Sequence, residues 1–152
     1  MNFLQDFFLN KLVISALSSW FIAQLLKTII YMFITKKFVI ERMVGSGGMP
    51  SSHSATVCAL LTAVGYNYGP SGFEFAMAIV FALIVMYDAM GVRRETGNQS
   101  RVINEMIELL EKLGGNISAE EKLKEFVGHT PIQVLAGAIL GILIGIFVCN
   151  VV

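Results

Sequence analysis

Four stretches of the chain are almost continuously apolar: Leu12 to about Ile34, His53 to about Tyr68, Phe73 to about Met90, and Pro131 to Val152. Each approaches the roughly 20 residues that an α-helix needs to cross the hydrocarbon core of a bilayer. The expected fold is an all-α integral membrane bundle of about four transmembrane helices, forming a single domain over residues 1–152. The second run is the most polar, because it ends in Gly65, Asn67 and Tyr68, although Tyr66 and Tyr68 suit an interfacial belt. Between the third and fourth runs the pattern changes. Ile103, Met106, Ile107, Leu110 and Leu113 recur at helical spacing opposite Asn104, Glu105, Glu108, Glu111 and Lys112, which predicts an amphipathic helix over about 100–113. Gly114-Gly115 closes it. Ser118 followed by Glu121 has the form of a capping box opening a second short helix over about 119–126. This hairpin is expected to rest on the membrane surface or on the bundle.

Composition agrees with the membrane reading. Of 152 residues, 55% are hydrophobic and 14% charged, where a soluble domain carries about 25% charged residues; the mean hydropathy is +0.70. Eleven basic and eleven acidic residues cancel, so nothing points to a nucleic-acid partner. Cys58 and Cys149 both fall in apolar runs and behave as small hydrophobes. The first apolar run lacks a small-residue cleavage pattern and is expected to remain in the protein. Lys36, Lys37 and Arg42 follow the first run and Arg93, Arg94 and Arg101 follow the third, whereas the loop 67–72 has no basic residue. By the positive-inside rule both basic loops, and the polar motifs near them, belong on the cytoplasmic face of the cell membrane. The fourth run carries Gly137, Gly141 and Gly145, a stripe that allows close helix approach. A homodimer through this stripe is one arrangement it permits.

The candidate chemistry gathers at that same end. Gly45-Ser-Gly-Gly-Met-Pro-Ser-Ser-His-Ser54 is a glycine-rich loop entering the second run. Gly48 and its neighbours allow close backbone approach, and a helix start offers free N–H groups to an anion, with phosphate the natural guest. His53 stands beside it. The only other histidine, His129, lies in Gly128-His-Thr-Pro131, where Thr130 suits a cap and Pro131 the first helical turn. A helix-entry histidine bonded to a loop carbonyl would be unremarkable, but both histidines fall at one membrane face. Asp88 ends the third run and could orient a histidine, while Arg93 and Arg94 could grip phosphate oxygens or simply anchor the span. Lys27 is near enough to the end of the first run to snorkel to the same face.

Pro50-Ser-Ser-His53, Gly128-His-Thr-Pro131 and Val134-Leu-Ala-Gly-Ala138 resemble the divergent branch of the type 2 phosphatidic acid phosphatase superfamily, which is related to acid phosphatases and vanadium-dependent haloperoxidases. The resemblance implies a membrane phosphatase acting on a lipid-linked or amphiphilic phosphomonoester or diphosphate. It makes His129 the nucleophile and His53 the general acid, with Ser51, Ser52 and the adjoining backbone cradling the phosphoryl oxygens; no metal or other cofactor is required. Departures are visible. Ser52 replaces the family's glycine, Gln133 its orienting aspartate, and Leu123 the arginine that precedes the nucleophile. The expectation is that Asp88 supplies the orienting carboxylate, Arg93 or Arg94 the arginine, and Lys27 the first-motif lysine. Lipid phosphatases of this superfamily generally face outward, in tension with the basic loops. The rival expectation is a carrier or assembly factor that keeps the phosphate pocket without turnover. A scaffold without a ligand is a third.

Overall fold

The computed structural model describes residues 3–36, 43, 47–114, 123 and 128–152. Among the described residues the elements are helices: α1 (Phe3–Phe8), α2 (Lys11–Thr35), α3 (Ser52–Tyr68), α4 (Phe73–Met90), α5 (Val92–Lys112) and α6 (Pro131–Val151). Three of the starts have a side-chain cap. Asn10 accepts from the backbone N–H of Leu12 at 2.9 Å and opens α2. Ser51 accepts from Ser54 N–H and opens α3. Thr130 opens α6 in a full capping box with Gln133, and Pro131 follows at the first turn.

Three helical stretches are long and apolar enough to cross a membrane: Lys11–Thr35, Phe73–Lys112 and Pro131–Val151. Their outward side chains, among them Phe33, Ile84, Leu135 and Phe147, are well exposed, a surface suited to lipid. The protein is an integral membrane helical bundle. The expected second span, α3, differs in kind. It has 17 residues, about 26 Å of helix, and packs against α2, α4 and α6. Ala55, Ala59 and Ala63 on it are completely buried. Its small, partly hydroxylated side chains make it the interior helix of the bundle.

The glycine stripe of α6 faces α3. A Cβ on Gly137 would collide with the Ser51 carbonyl, one on Gly141 with the Ala55 carbonyl, and one on Gly145 would meet Thr62 Cβ at 2.8 Å. At the far end Tyr66 Oη donates to Asn150 Oδ1 at 3.0 Å. The two helices therefore run parallel in close contact, with Ser51 beside Gln133 at one end and Tyr66 beside Asn150 at the other. The stripe is filled within the chain, so it is not the surface through which two copies could meet.

α2 and α4 run the other way. Lys27 reaches Ser52, and Met86 Sδ lies 3.8 Å from Cys58 Sγ. The C-terminal parts of α2 and α4 thus join the N-termini of α3 and α6 at one end of the bundle. Beyond α4 the backbone breaks at Gly91, with φ −93° and ψ −92°, and resumes as α5. This helix starts at Val92, well before the expected 100, because nothing between Val92 and Ser100 stops a helix; Gly97 on it is buried. The Asn104 amide pairs with the backbone of Leu123, donating at 3.0 Å and accepting at 3.1 Å. The expected helix over 119–126 lies outside the described residues, Leu123 apart.

Candidate active site

Lys27 is held inside the bundle, only 3% exposed. Its Nζ donates to Gln24 Oε1 at 2.8 Å and approaches Ser52 Oγ at 3.5 Å. Gly48 lies over its stem: with φ +82°, glycine suits the turn, and a Cβ there would sit 3.2 Å from Lys27 Cγ. The loop so placed leads into Ser51, which is fully buried and whose Oγ accepts from Ser54 N–H and lies 3.1 Å from Ser54 Oγ. An ammonium, three hydroxyls and the first N–H groups of α3 gather within one short stretch, a donor-rich set suited to an oxyanion.

The two histidines meet beside this cluster. Their ring centroids are 5.6 Å apart and the rings are inclined at 65°, edge to face. His129 is 2% exposed. Its backbone N–H donates to the Ala89 carbonyl at 2.9 Å, which ties the entry of α6 to the end of α4. Its Nδ1 lies 3.3 Å from Gln133 Oε1, and its Nε2 is fully buried. Burial pushes the His129 imidazolium below the ordinary histidine range, and the positive charges of Lys27 and His53 push the same way; Gln133 and the Gly48 backbone pull against them. His129 is thus biased towards the neutral imidazole, the form that can attack phosphorus.

His53 is only partly buried and faces a groove of about 290 Å³ lined by Trp20, Ser52, Thr56, Val57, Phe81 and Val85. The groove is mostly apolar and opens between α2, α3 and α4. A second, larger groove of about 610 Å³ runs along α4, lined by Leu83, Ile84, Met86, Tyr87, Met90 and Val134, with Asp88 at its polar edge.

Of the sequence-derived candidates, His53, His129, Lys27, Gly48, Ser51 and Ser52 come together. Asp88 lines the α4 groove beside Ala89, whose carbonyl accepts from His129 N–H, and Gln133 Oε1 faces His129 Nδ1. Arg94 is exposed on the first turns of α5, and only the helical backbone of Arg93 is described. Gln24 was not among the candidates. Its signal was a polar residue three before Lys27 in an otherwise apolar helix, a spacing that places both on one face. Among the described residues, no three His, Cys, Asp or Glu side chains converge to hold a metal ion.

No solved structure matches the chain. An uncharacterized membrane protein of Bacillus subtilis strain 168, YuiD, is 37% identical over 144 residues, covering 89% of this chain and 91% of its own. Residues 8–144 match the family described as "Divergent PAP2 family". The histidines, the serine-rich turn, all of α3 and the larger part of α6 lie inside that match, and the chain belongs to the divergent PAP2 family.

Proposed function

We propose that this protein is a membrane phosphatase that hydrolyses a lipid-linked or amphiphilic phosphomonoester or diphosphate through a phosphohistidine at His129. The single observation that carries the reading is the pairing of His129 with His53 at 5.6 Å, next to the buried Lys27 ammonium and the hydroxyls of Ser51 and Ser52. One histidine is biased towards the neutral form and can attack, while the other stands at the mouth of a groove, where it can protonate a departing oxygen. Lys27, Ser51, Ser52 and the Gly48 turn stabilise the charge that builds on the phosphoryl oxygens. The groove reaching His53 between α2, α3 and α4 suits the hydrocarbon portion of an amphiphile, with the phosphate in the polar cluster.

The reactive end is also the end that carries Lys36 and α5 with Arg94 and Arg101, so the positive-inside rule assigns it to the cytoplasmic face. Arg94 then lies among phosphate-rich headgroups, where it serves as an anchor or a first docking point. Phosphate release by the detergent-purified protein tests the reading, with phosphatidic acid, phosphatidylglycerophosphate and polyprenyl diphosphates as substrates. Release abolished in both His129→Ala and His53→Ala supports it. A folded protein that releases nothing yet binds these lipids through Lys27 would replace it with the carrier reading, which the neutral Gln133 beside the nucleophile favours.

A further inference from the structure

We infer that α5 is an interfacial helix whose apolar face lies in the bilayer surface at the histidine end of the bundle, held there by hydrophobic burial and not by attraction to anionic lipid. The inference needs only the membrane fold and stands apart from the phosphatase reading.

Side chains on a helix turn by about 100° per residue, and those of α5 sort into three sectors. Val102, Ile103, Met106, Leu109, Leu110 and Leu113 fall within about 120° of arc. They are between 44% and 83% exposed. Gly97, Ser100 and Asn104 form a buried stripe nearly opposite that arc. Its polar groups are met inside the chain: Ser100 Oγ donates to the Thr96 carbonyl at 2.9 Å, and the Asn104 amide holds the Leu123 backbone. Arg94, Arg101, Glu105 and Lys112 make up a third, charged sector and are exposed. The Leu123 segment thus meets α5 on its polar side, and the apolar side faces outward.

Position selects lipid as the occupant. α5 begins directly after the break at Gly91. Val92, its first residue, shares the apolar arc and lines the α4 groove together with Tyr87 and Val134. The outward surface of α4, where Leu83, Ile84 and Tyr87 are exposed, therefore continues into the start of the α5 arc. A second copy of the chain suits the arc less well. Its six side chains offer on the order of 500 Å² of apolar surface, short of the roughly 800 Å² per partner in a stable protein interface. A bilayer sets no such threshold, because binding grows with the apolar area that leaves water.

Charge decides how α5 is held. Arg93, Arg94, Arg101 and Lys112 are matched in number by Glu95, Glu105, Glu108 and Glu111. The helix has no surplus of positive charge for anionic headgroups to attract, so apolar burial to a depth of about 5–10 Å does the holding. The consequence reaches the histidines. The Ala89 carbonyl, two residues before the break, accepts from His129 N–H, and a helix fixed in the interface therefore fixes the end of α4 and the entry of α6 at headgroup level.

Nitroxide scanning of the full chain in phosphatidylcholine vesicles tests this. Cys58 and Cys149 are replaced by alanine, and one label is attached in turn to Met106→Cys, Leu110→Cys, Glu105→Cys and Lys112→Cys, all at exposed positions. Oxygen concentrates in lipid and a nickel chelate stays in water. The oxygen-to-nickel accessibility ratio should be several-fold higher at 106 and 110 than at 105 and 112. The contrast should persist with phosphatidylglycerol in the vesicles and at high salt. Ile103→Cys and Leu109→Cys carry the same expectation as 106 and 110, so a single misfolded variant leaves the test intact. High nickel accessibility along the arc would put it in water and overturn the proposal. Protection from both probes, with spin–spin broadening that fades on dilution with unlabelled protein, would give the arc to a second copy and overturn it as well. A contrast seen only with phosphatidylglycerol and lost at high salt would overturn the apolar hold.

Discussion

Ser51 and Gln133 are joined across the bundle by one backbone hydrogen bond, Ser51 N–H to the Gln133 carbonyl at 2.9 Å. The bond joins the entry of α3, which carries His53, to the first turn of α6, which follows His129. Gly137 lies one turn further along and permits the approach, since any Cβ there strikes the Ser51 carbonyl. Gly137→Leu should therefore separate the two histidines as well as overpack the interface, at a cost of about 1–3 kcal/mol. The thermal midpoint of the purified protein should fall and phosphate release should vanish. Gly145→Ala, which meets Thr62 and the Ala59 carbonyl far from the histidines, should lower the midpoint less and spare activity.

Lys27→Met separates stability from binding. A buried ammonium costs desolvation, and a well-packed apolar replacement is often neutral or stabilising. The thermal midpoint should hold or rise. Affinity for inorganic phosphate should fall, because a hydrogen bond to a charged group is worth about 1.5–3 kcal/mol, or roughly tenfold to a hundredfold in Kd. Isothermal titration with phosphate and a thermal scan on the same preparation check both halves. A lower midpoint with unchanged phosphate affinity would make Lys27 a structural residue.

The sequence disclosed the helical membrane fold because apolar runs separated by short polar loops admit few other solutions. It disclosed the serine-histidine turn and the second histidine because polar residues at the edge of a span stand out. The roles of neighbours were hidden. Asp88 stood out because carboxylates orient imidazoles, whereas the approach of Gln133 to the same ring depends on the first turn of α6. The partner of the glycine stripe was also obscure, although Ser51, Ala55 and Ala59 repeat every fourth residue and form the matching small-residue row on α3. Interior polarity on α2 follows the same spacing, with Ser15, Ser19, Ala23 and Lys27 all buried. A period of four in an apolar helix, read as a face, would have pointed to α2 as an inner wall of the site.

His129 makes stability depend on pH. Burial, Lys27 and His53 hold its folded pKa below the unfolded histidine value of about 6.5. Above that value both states leave the ring neutral and the residue adds no pH dependence. As pH falls through and below it, the unfolded chain binds a proton before the folded protein does, and stability is lost until the folded pKa is reached. The wild-type thermal midpoint should therefore drop on moving from pH 7 to pH 5 by more than that of His129→Gln. Equal slopes would mean that His129 is not held neutral in the folded state.

Asn104 ties α5 to Leu123 through both ends of its amide, and it is 5% exposed. Asn104→Ala should remove both hydrogen bonds to the Leu123 backbone, each worth about 0.5–1.5 kcal/mol. Hydrogen exchange should speed up in the second half of α5 while α3 and α6 keep their protection. Protection lost uniformly across the bundle would show instead that the α5 attachment supports the whole fold.

Sidedness follows from charge and connectivity together. α4 runs from the uncharged turn at 69–72 to Gly91, so that turn and α5 lie on opposite sides of the membrane if α4 crosses it. Ser71 and Lys112 are both exposed, and Cys58 and Cys149 are buried and can be replaced by alanine to leave a silent background. In intact cells a membrane-impermeant maleimide should label Ser71→Cys and not Lys112→Cys, with the second site appearing only after permeabilisation. This pattern would place the histidine pair at the cytoplasmic face, where it could act only on headgroups of the inner leaflet. Labelling of Lys112→Cys in intact cells would reverse the orientation and assign the basic residues of α5 to headgroup binding on the outer surface. The active site would then draw on the outer leaflet, the side on which phosphatases of this superfamily generally work.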